Sequence, residues 1–280
     1  VAIEPGTVEF YALFLAALVL VGGSLGDLYG RRRIFVTGVA IFSGASVCCG
    51  LASTIGQLVV ARAIQGVGGA LLVPGSLALI SANFPQEDRG RAIGAWSGFT
   101  SITAALGPVL GGWFTEQGSW RWVFFINLPI GLAVLFVTLW KVPESRSAVQ
   151  GRRQFDWVGG VLAALGLGGI VYALIESSPV FGAMGAVVLV ALSYWEARAT
   201  SPMVPLHLFR SRGFTGANLL TFFLYSALGG ILFFFPLDLV QVQRYSATQA
   251  GAALLPFILP MFVLSRWSGG LVDHTAPRLR

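Results

Sequence analysis

The chain has 280 residues, 55% hydrophobic and only 11% charged, with a mean hydropathy of +0.77 and a formal net charge of +6. A soluble domain carries about 25% charged residues, so this inventory cannot furnish a water-facing surface. Strand-type alternation is absent, which argues against an outer-membrane barrel and for an all-α membrane protein.

Apolar runs near the ~20 residues needed to cross a hydrocarbon core as helix recur nine times, at roughly 8–26, 34–53, 58–82, 92–114, 122–140, 157–176, 181–196, 214–237 and 249–266. Glu4 and Glu9 precede the first run, where a cleavable signal peptide carries positive charge instead. Cys48 and Cys49 are adjacent inside the second run. Neighbours in a helix point in different directions, so they read as small packing residues and not as a disulfide.

The connections alternate in charge. One set holds Arg31, Arg32, Arg33, Arg89, Arg91, Lys141, Arg146, Arg152, Arg153, Arg198, Arg210, Arg212, Arg266, Arg278 and Arg280, fifteen of the eighteen basic residues. The opposite set holds Arg121 and Arg244, and Arg62 lies within a span. Short basic loops stay cytoplasmic, so the excess positive charge reports topology. A nucleic-acid surface would be basic on one contiguous face, and no such partner is expected. Trp120, Trp122, Tyr245 and Trp267 fall at span ends, where amphipathic rings anchor at the interface. No Walker A sequence, zinc spacing or nucleophile–base set stands out, so no ATP-driven pump, cofactor, metal site or catalytic residue is expected in this stretch.

The segment GSLGDLYGRR beginning at Gly23 and the segment GGLVDHTAPR beginning at Gly269 share the pattern G-x-L-x-D-x4-R. Gly23, Leu25, Asp27 and Arg32 align with Gly269, Leu271, Asp273 and Arg278. Both follow an apolar span on the basic side, which reads as an internal parallel repeat. Glycines, here including Gly26 and Gly30, let helix ends pack closely, and the acid can pair with Arg31 or Arg32 across the short loop. Such a charged latch holds one conformation and releases in another. A plain positive-inside tether with a capping aspartate is the alternative for either copy alone.

Several motifs carry a family resemblance. GGSLGDLYGRRR (22–33) resembles the loop signature between the second and third helices of major facilitator superfamily transporters. LVVARAIQGVGGALLVP (58–74), with Arg62, Gln65 and Gly66, is similar to their fourth-helix motif. GPVLGGWF (107–114), with Gly94 and Gly98 upstream, resembles their antiporter motif in the fifth helix, although Thr103 replaces a further glycine. WRWVFFINLPIG (120–131) and YSATQAGAALLPF (245–257) resemble segments of the fourteen-helix drug:proton antiporters.

The resemblance implies a major facilitator fold divided into a bundle at 1–141 lacking its first helix, a two-helix linker region at 142–212, and the start of a second bundle at 213–280. Eight spans between the two latch segments, where two joined six-helix bundles need only six, support that subgroup. One helix before this stretch and four after it are expected.

The implied function is proton-coupled export of small lipophilic or cationic molecules by alternating access. Its partners are the lipid bilayer, a small-molecule substrate and protons, in a multi-pass protein of the bacterial inner membrane. Solute uptake by symport and a non-transporting scaffold or sensor are the alternatives.

Arg62 is costly within a span unless it faces protein or a water-filled cavity. It reads either as a donor to backbone carbonyls at a helix crossing or, as the resemblance implies, as a control on proton exchange through a carboxylate. Asp238 is a proton-coupling candidate near an outer span end, with interfacial snorkelling as its alternative. Gly94, Gly98, Gly107, Pro108, Gly111 and Gly112 would let their helix pack closely and bend between the two halves. A cavity lined by Phe and Trp would suit lipophilic cations.

Overall fold

The computed structural model describes residues 6–146, 155–199, 202–260 and 264. Among these residues the regular elements are helices: α1 (Gly6–Tyr29), α2 (Arg31–Leu51), α3 (Ile55–Asn83), α4 (Gln86–Gln117), α5 (Trp122–Phe125), α6 (Asn127–Lys141), α7 (Trp157–Ile175), α8 (Pro179–Glu196), α9 (Arg212–Gln241) and α10 (Ala247–Ala252).

Seven stretches among the described residues are long and apolar enough to cross a membrane, with α5 and α6 acting as one. They match the first, second, third, fifth, sixth, seventh and eighth expected runs. The fourth run lies inside α4, which has 32 residues. Glycines and hydroxyl residues such as Ser97, Thr100, Ser101 and Thr103 dilute its hydropathy. The ninth run is described only as far as residue 260, where a shorter apolar helix covers Thr248–Pro260.

The pattern of burial is that of a protein dissolved in lipid. Many buried positions are small or polar, among them Ala17, Ala45, Ser46, Ala61, Gln65, Ala70 and Ala163, beside a few aliphatics such as Leu58 and Leu79. Large apolar side chains face outward instead, among them Phe222, Phe223, Tyr225, Phe233 and Phe234 on α9. Helix association in hydrocarbon gains nothing from hiding apolar surface, so it proceeds by close backbone packing of small residues.

The described residues form two compact units, one of residues 1–83 and 124–206 and one of 84–123 and 207–280. In the first, α3 packs against both α1 and α2, α2 packs against α6, and α7 packs against α1 and α8. Glycine makes these approaches possible. A Cβ on Gly22 would overlap the Ala70 carbonyl oxygen, and one on Gly68 would lie 2.6 Å from the Phe42 nitrogen. Gly131 of α6 leaves the space occupied by the Ser43 side chain of α2.

The α7–α8 pair is closed at one end by carboxylates. Asp156 caps α7, accepting from the Gly159 N–H at 2.8 Å and from the Trp195 indole at 2.9 Å. The buried Glu196 carboxylate accepts from the N–H groups of Met203 and Val204, each at 3.2 Å.

In the second unit α10 packs against α4 and α9. Ser246 caps α10 in a reciprocal capping box with Gln249. Leu254 and Ile258 are buried there against Leu232 and Leu255. α4, which the sequence reading groups with the first bundle, thus makes its main helix contact with α10.

Candidate functional site

The arginine-rich junction between α1 and α2 turns on Gly30, whose φ of 116° lies in the left-handed region. A side chain there would be strained, and a Cβ would also lie 2.7 Å from the Glu144 carboxylate. Asp27, one turn before the break, accepts from Arg31 Nε at 3.0 Å and from Arg31 Nη2 at 2.8 Å. Arg31 Nη1 reaches the Ala78 carbonyl of α3 at 3.5 Å. Gly26 is buried and its carbonyl receives the Gly30 N–H at 3.1 Å, while a Cβ on Gly23 would lie 3.7 Å from Pro74.

The first N–H groups of a helix lack intrahelical partners, and α2 begins with three arginines at its positive dipole end. The segment after α6 resolves both problems. Arg31 N–H donates to the Ser145 carbonyl at 2.9 Å. Arg32 N–H donates to Glu144 Oε1 at 3.0 Å and Arg33 N–H to Glu144 Oε2 at 3.2 Å. The Arg33 guanidinium lies 3.7 Å from Glu144 Oε2, and Arg32 Nη2 donates to the Leu139 carbonyl at 2.7 Å. One carboxylate therefore caps α2 from more than a hundred residues away. Arg32, expected as a latch arginine, reaches the α6 terminus and leaves Asp27 to Arg31.

A second polar group lies among the apolar helices. Arg62 Nη1 donates to Gln65 Oε1 at 2.6 Å, one turn along α3. The Gln65 side chain, 1% exposed, donates in turn to the Ser46 hydroxyl of α2. The Arg62 guanidinium carbon sits 4.5 Å from the centre of the Tyr11 ring and 5.8 Å from that of Phe124. Sequence reading selected Arg62 and Gln65; it missed Ser46, Tyr11 and Phe124, which come from three other helices. Gly66, one position beyond Gln65, admits the backbone of α1: a Cβ there would lie 2.6 Å from the Tyr11 carbonyl oxygen.

The α4 glycines do not share one environment. Gly94, Gly98 and Gly112 are buried, whereas Gly107 is exposed and Gly111 lies between. Nothing stands within 4 Å of where a Cβ on Gly107 or Gly111 would be. α4 remains one continuous helix through Pro108. Beyond the glycines, Glu116 of α4 accepts the Thr248 N–H at 3.1 Å and the Thr248 hydroxyl at 2.7 Å, joining α4 to the first turn of α10. A cavity of about 320 Å³ beside this end is lined by Trp113, Phe114, Gln117, Gly118 and Trp122.

Asp238 lies in the second unit, near the end of α9, where its Oδ2 accepts from the Gln243 amide at 2.9 Å. Arg62 belongs to the first unit. Gly269, Asp273 and Arg278, the second copy of the repeat, lie outside the described residues, as does Trp267. Cys48 and Cys49 are both free, one exposed and one buried.

The family model of the Major Facilitator Superfamily matches residues 6–280. The chain belongs to the Major Facilitator Superfamily. Among superfamily relatives it is 36% identical over 282 residues to "Multidrug resistance protein Stp" of Mycobacterium tuberculosis (strain CDC 1551 / Oshkosh), covering 97% of this chain and 52% of that protein. It is 32% identical to "Multidrug transporter protein MdtP" of Bacillus subtilis (strain 168), over 94% of this chain and 50% of the relative. To "Uncharacterized MFS-type transporter EfpA" of Mycobacterium tuberculosis it is 35% identical, over 96% and 52%. The chain spans about half the length of these curated relatives. Its apolar spans and superfamily membership, with relatives of this kind in bacteria, make it an integral protein of the inner membrane.

Proposed function

We propose that the chain is part of a secondary active transporter that exports small lipophilic or cationic molecules in exchange for protons, by alternating access. The observation that carries this reading is the Arg62–Gln65–Ser46 chain of hydrogen bonds inside apolar helices. A guanidinium at such a position is expensive in stability, and its retention there is explained by use in ion movement. The names of the multidrug resistance and multidrug transporter relatives support a drug as the exported molecule.

Each expected site takes a role. Asp27, Arg31 and Arg32, with Gly23, Gly26 and Gly30, form a cytoplasmic latch, and Gly269, Asp273 and Arg278 form its counterpart in the second lobe. Glu144 joins the first latch as the group that fastens the end of α6 over the start of α2. Arg62 and Gln65 act in proton coupling, with Asp238 as a further candidate. The α4 glycines let that helix pack closely and bend between the two halves of the carrier. The two helices α7 and α8 fill the 142–212 linker region.

The test uses the protein that carries this chain, reconstituted in proteoliposomes with an imposed proton gradient and ethidium as the transported cation. Gradient-driven movement abolished by a protonophore is expected. Movement that persists unchanged after the gradient is collapsed would overturn the coupling.

A further inference from the structure

We propose that Tyr11 is a positioning residue for Arg62, a role that rests on the coupling reading above: its ring face fixes where the guanidinium charge rests. Tyr11 comes from α1 and Arg62 from α3, and the two meet through the arrangement of one face of α3. Arg62, Gln65 or Gly66, and Gly69 follow one another at three- and four-residue intervals, which stacks them along that face. Gly66 admits the Tyr11 backbone. Gly69 admits its ring: a Cβ there would lie 3.3 Å from the Tyr11 hydroxyl oxygen and 3.5 Å from Cε2. The ring also meets Phe42 of α2 in a T-shaped contact, with centroids 6.4 Å apart. The ring is therefore held by α2 and α3 before it holds anything itself.

The guanidinium lies over that fixed surface at 4.5 Å, with Phe124 further off at 5.8 Å. An aromatic face attracts a cation through its quadrupole, most strongly where water is excluded. The hydrogen bond to Gln65 directs one edge of the guanidinium, while the ring face directs its plane. Together they hold the guanidinium from one edge and from its face. A carrier that moves protons past a fixed cation needs that cation to return to the same place in every cycle, so the ring acts on turnover and not on substrate affinity.

The test replaces Tyr11 by phenylalanine and then by phenylalanines bearing one, two and three ring fluorines. These keep the ring's shape while draining its negative face, so misfolding does not confound the series. Melting temperature in detergent and the kinetics of proton-driven ethidium transport are measured in the reconstituted protein, and melting is repeated in an Arg62→Gln background. We expect Tyr11→Phe to resemble the parent. Along the fluorine series kcat should fall, by about tenfold at three fluorines, with KM unchanged. Melting temperature should fall in parallel, and that slope should vanish in the Arg62→Gln background.

A flat melting series, or one unaffected by Arg62→Gln, overturns the contact. A falling melting series with constant kcat reduces Tyr11 to a packing residue and overturns the positioning role. Insensitivity of the parent protein to a protonophore instead overturns the coupling reading beneath the proposal, and the melting slope still reports on the contact itself.

Discussion

Glu144 and Arg32 are separated by 112 positions in the chain, yet the carboxylate of one accepts the backbone N–H of the other at 3.0 Å. The same carboxylate takes the Arg33 N–H, so the start of α2 and the end of α6 are tied by a single side chain. Helix capping of this kind is normally local, from the residue just before the helix. Gly30 occupies that place here and has no side chain to offer.

Glu144→Ala should therefore leave the N–H groups of Arg32 and Arg33 without this acceptor and the Arg33 guanidinium without its carboxylate partner. A loss of about 1–2 kcal/mol is expected, read as a lowered melting temperature in detergent. Glu144→Gln, which keeps an acceptor oxygen but not the charge, should lose less. Equal melting of Glu144→Ala and the parent would show that the cap contributes nothing.

Asp27→Asn breaks the ion pair with Arg31. The pair is partly exposed and four residues apart, so it contributes no more than about 1 kcal/mol to stability. Membrane insertion and melting should change little, while ethidium transport in proteoliposomes falls several-fold because the latch no longer holds. Normal transport by Asp27→Asn would remove the latch role.

Gly30→Ala places a Cβ at a φ of 116° and against the Glu144 carboxylate. The backbone strain alone costs about 1–2 kcal/mol. Melting should drop by more than for Gly44→Ala, a position on α2 with nothing within 4 Å of the added carbon. Indistinguishable melting of the two variants would contradict this geometry.

Gln65→Leu removes the amide that accepts from Arg62 and donates to Ser46. The buried Ser46 hydroxyl then loses this donor, at a cost of about 1–3 kcal/mol. Adding Ser46→Ala in the same protein should recover part of the loss in melting temperature. No recovery would show that the two side chains are not energetically coupled.

Glu116→Gln and Thr248→Val each weaken the junction of α4 with α10. The contact is exposed, so a coupling of about 0.5–1 kcal/mol is expected from a double-mutant cycle of melting temperatures. Strict additivity would mean the contact carries no energy.

Arg62, Gln65, Asp27 and Arg31 were legible in the sequence because each is a polar residue, or a short polar string, set against a long apolar background. Glu144 gave a fainter signal, an acid beside Pro143 at the end of an apolar run that ends in Lys141. Tyr11 and Ser46 gave none: a tyrosine near the start of a span and a serine inside one look like interface anchor and neutral filler.

The linear order of residues determined that the chain is helical, that it spans a membrane several times, and which ends of its spans carry the arginines. Hydropathy and charge are summed along the chain and need no knowledge of neighbours. Only the tertiary structure decided which faces meet. In water a helix announces its buried face by being more apolar there, but in lipid the exposed face is at least as apolar as the buried one, so periodicity is silent about packing. That is why the seating of Tyr11 under Arg62, the cap from Glu144, and the pairing of α4 with α10 had to be seen in three dimensions.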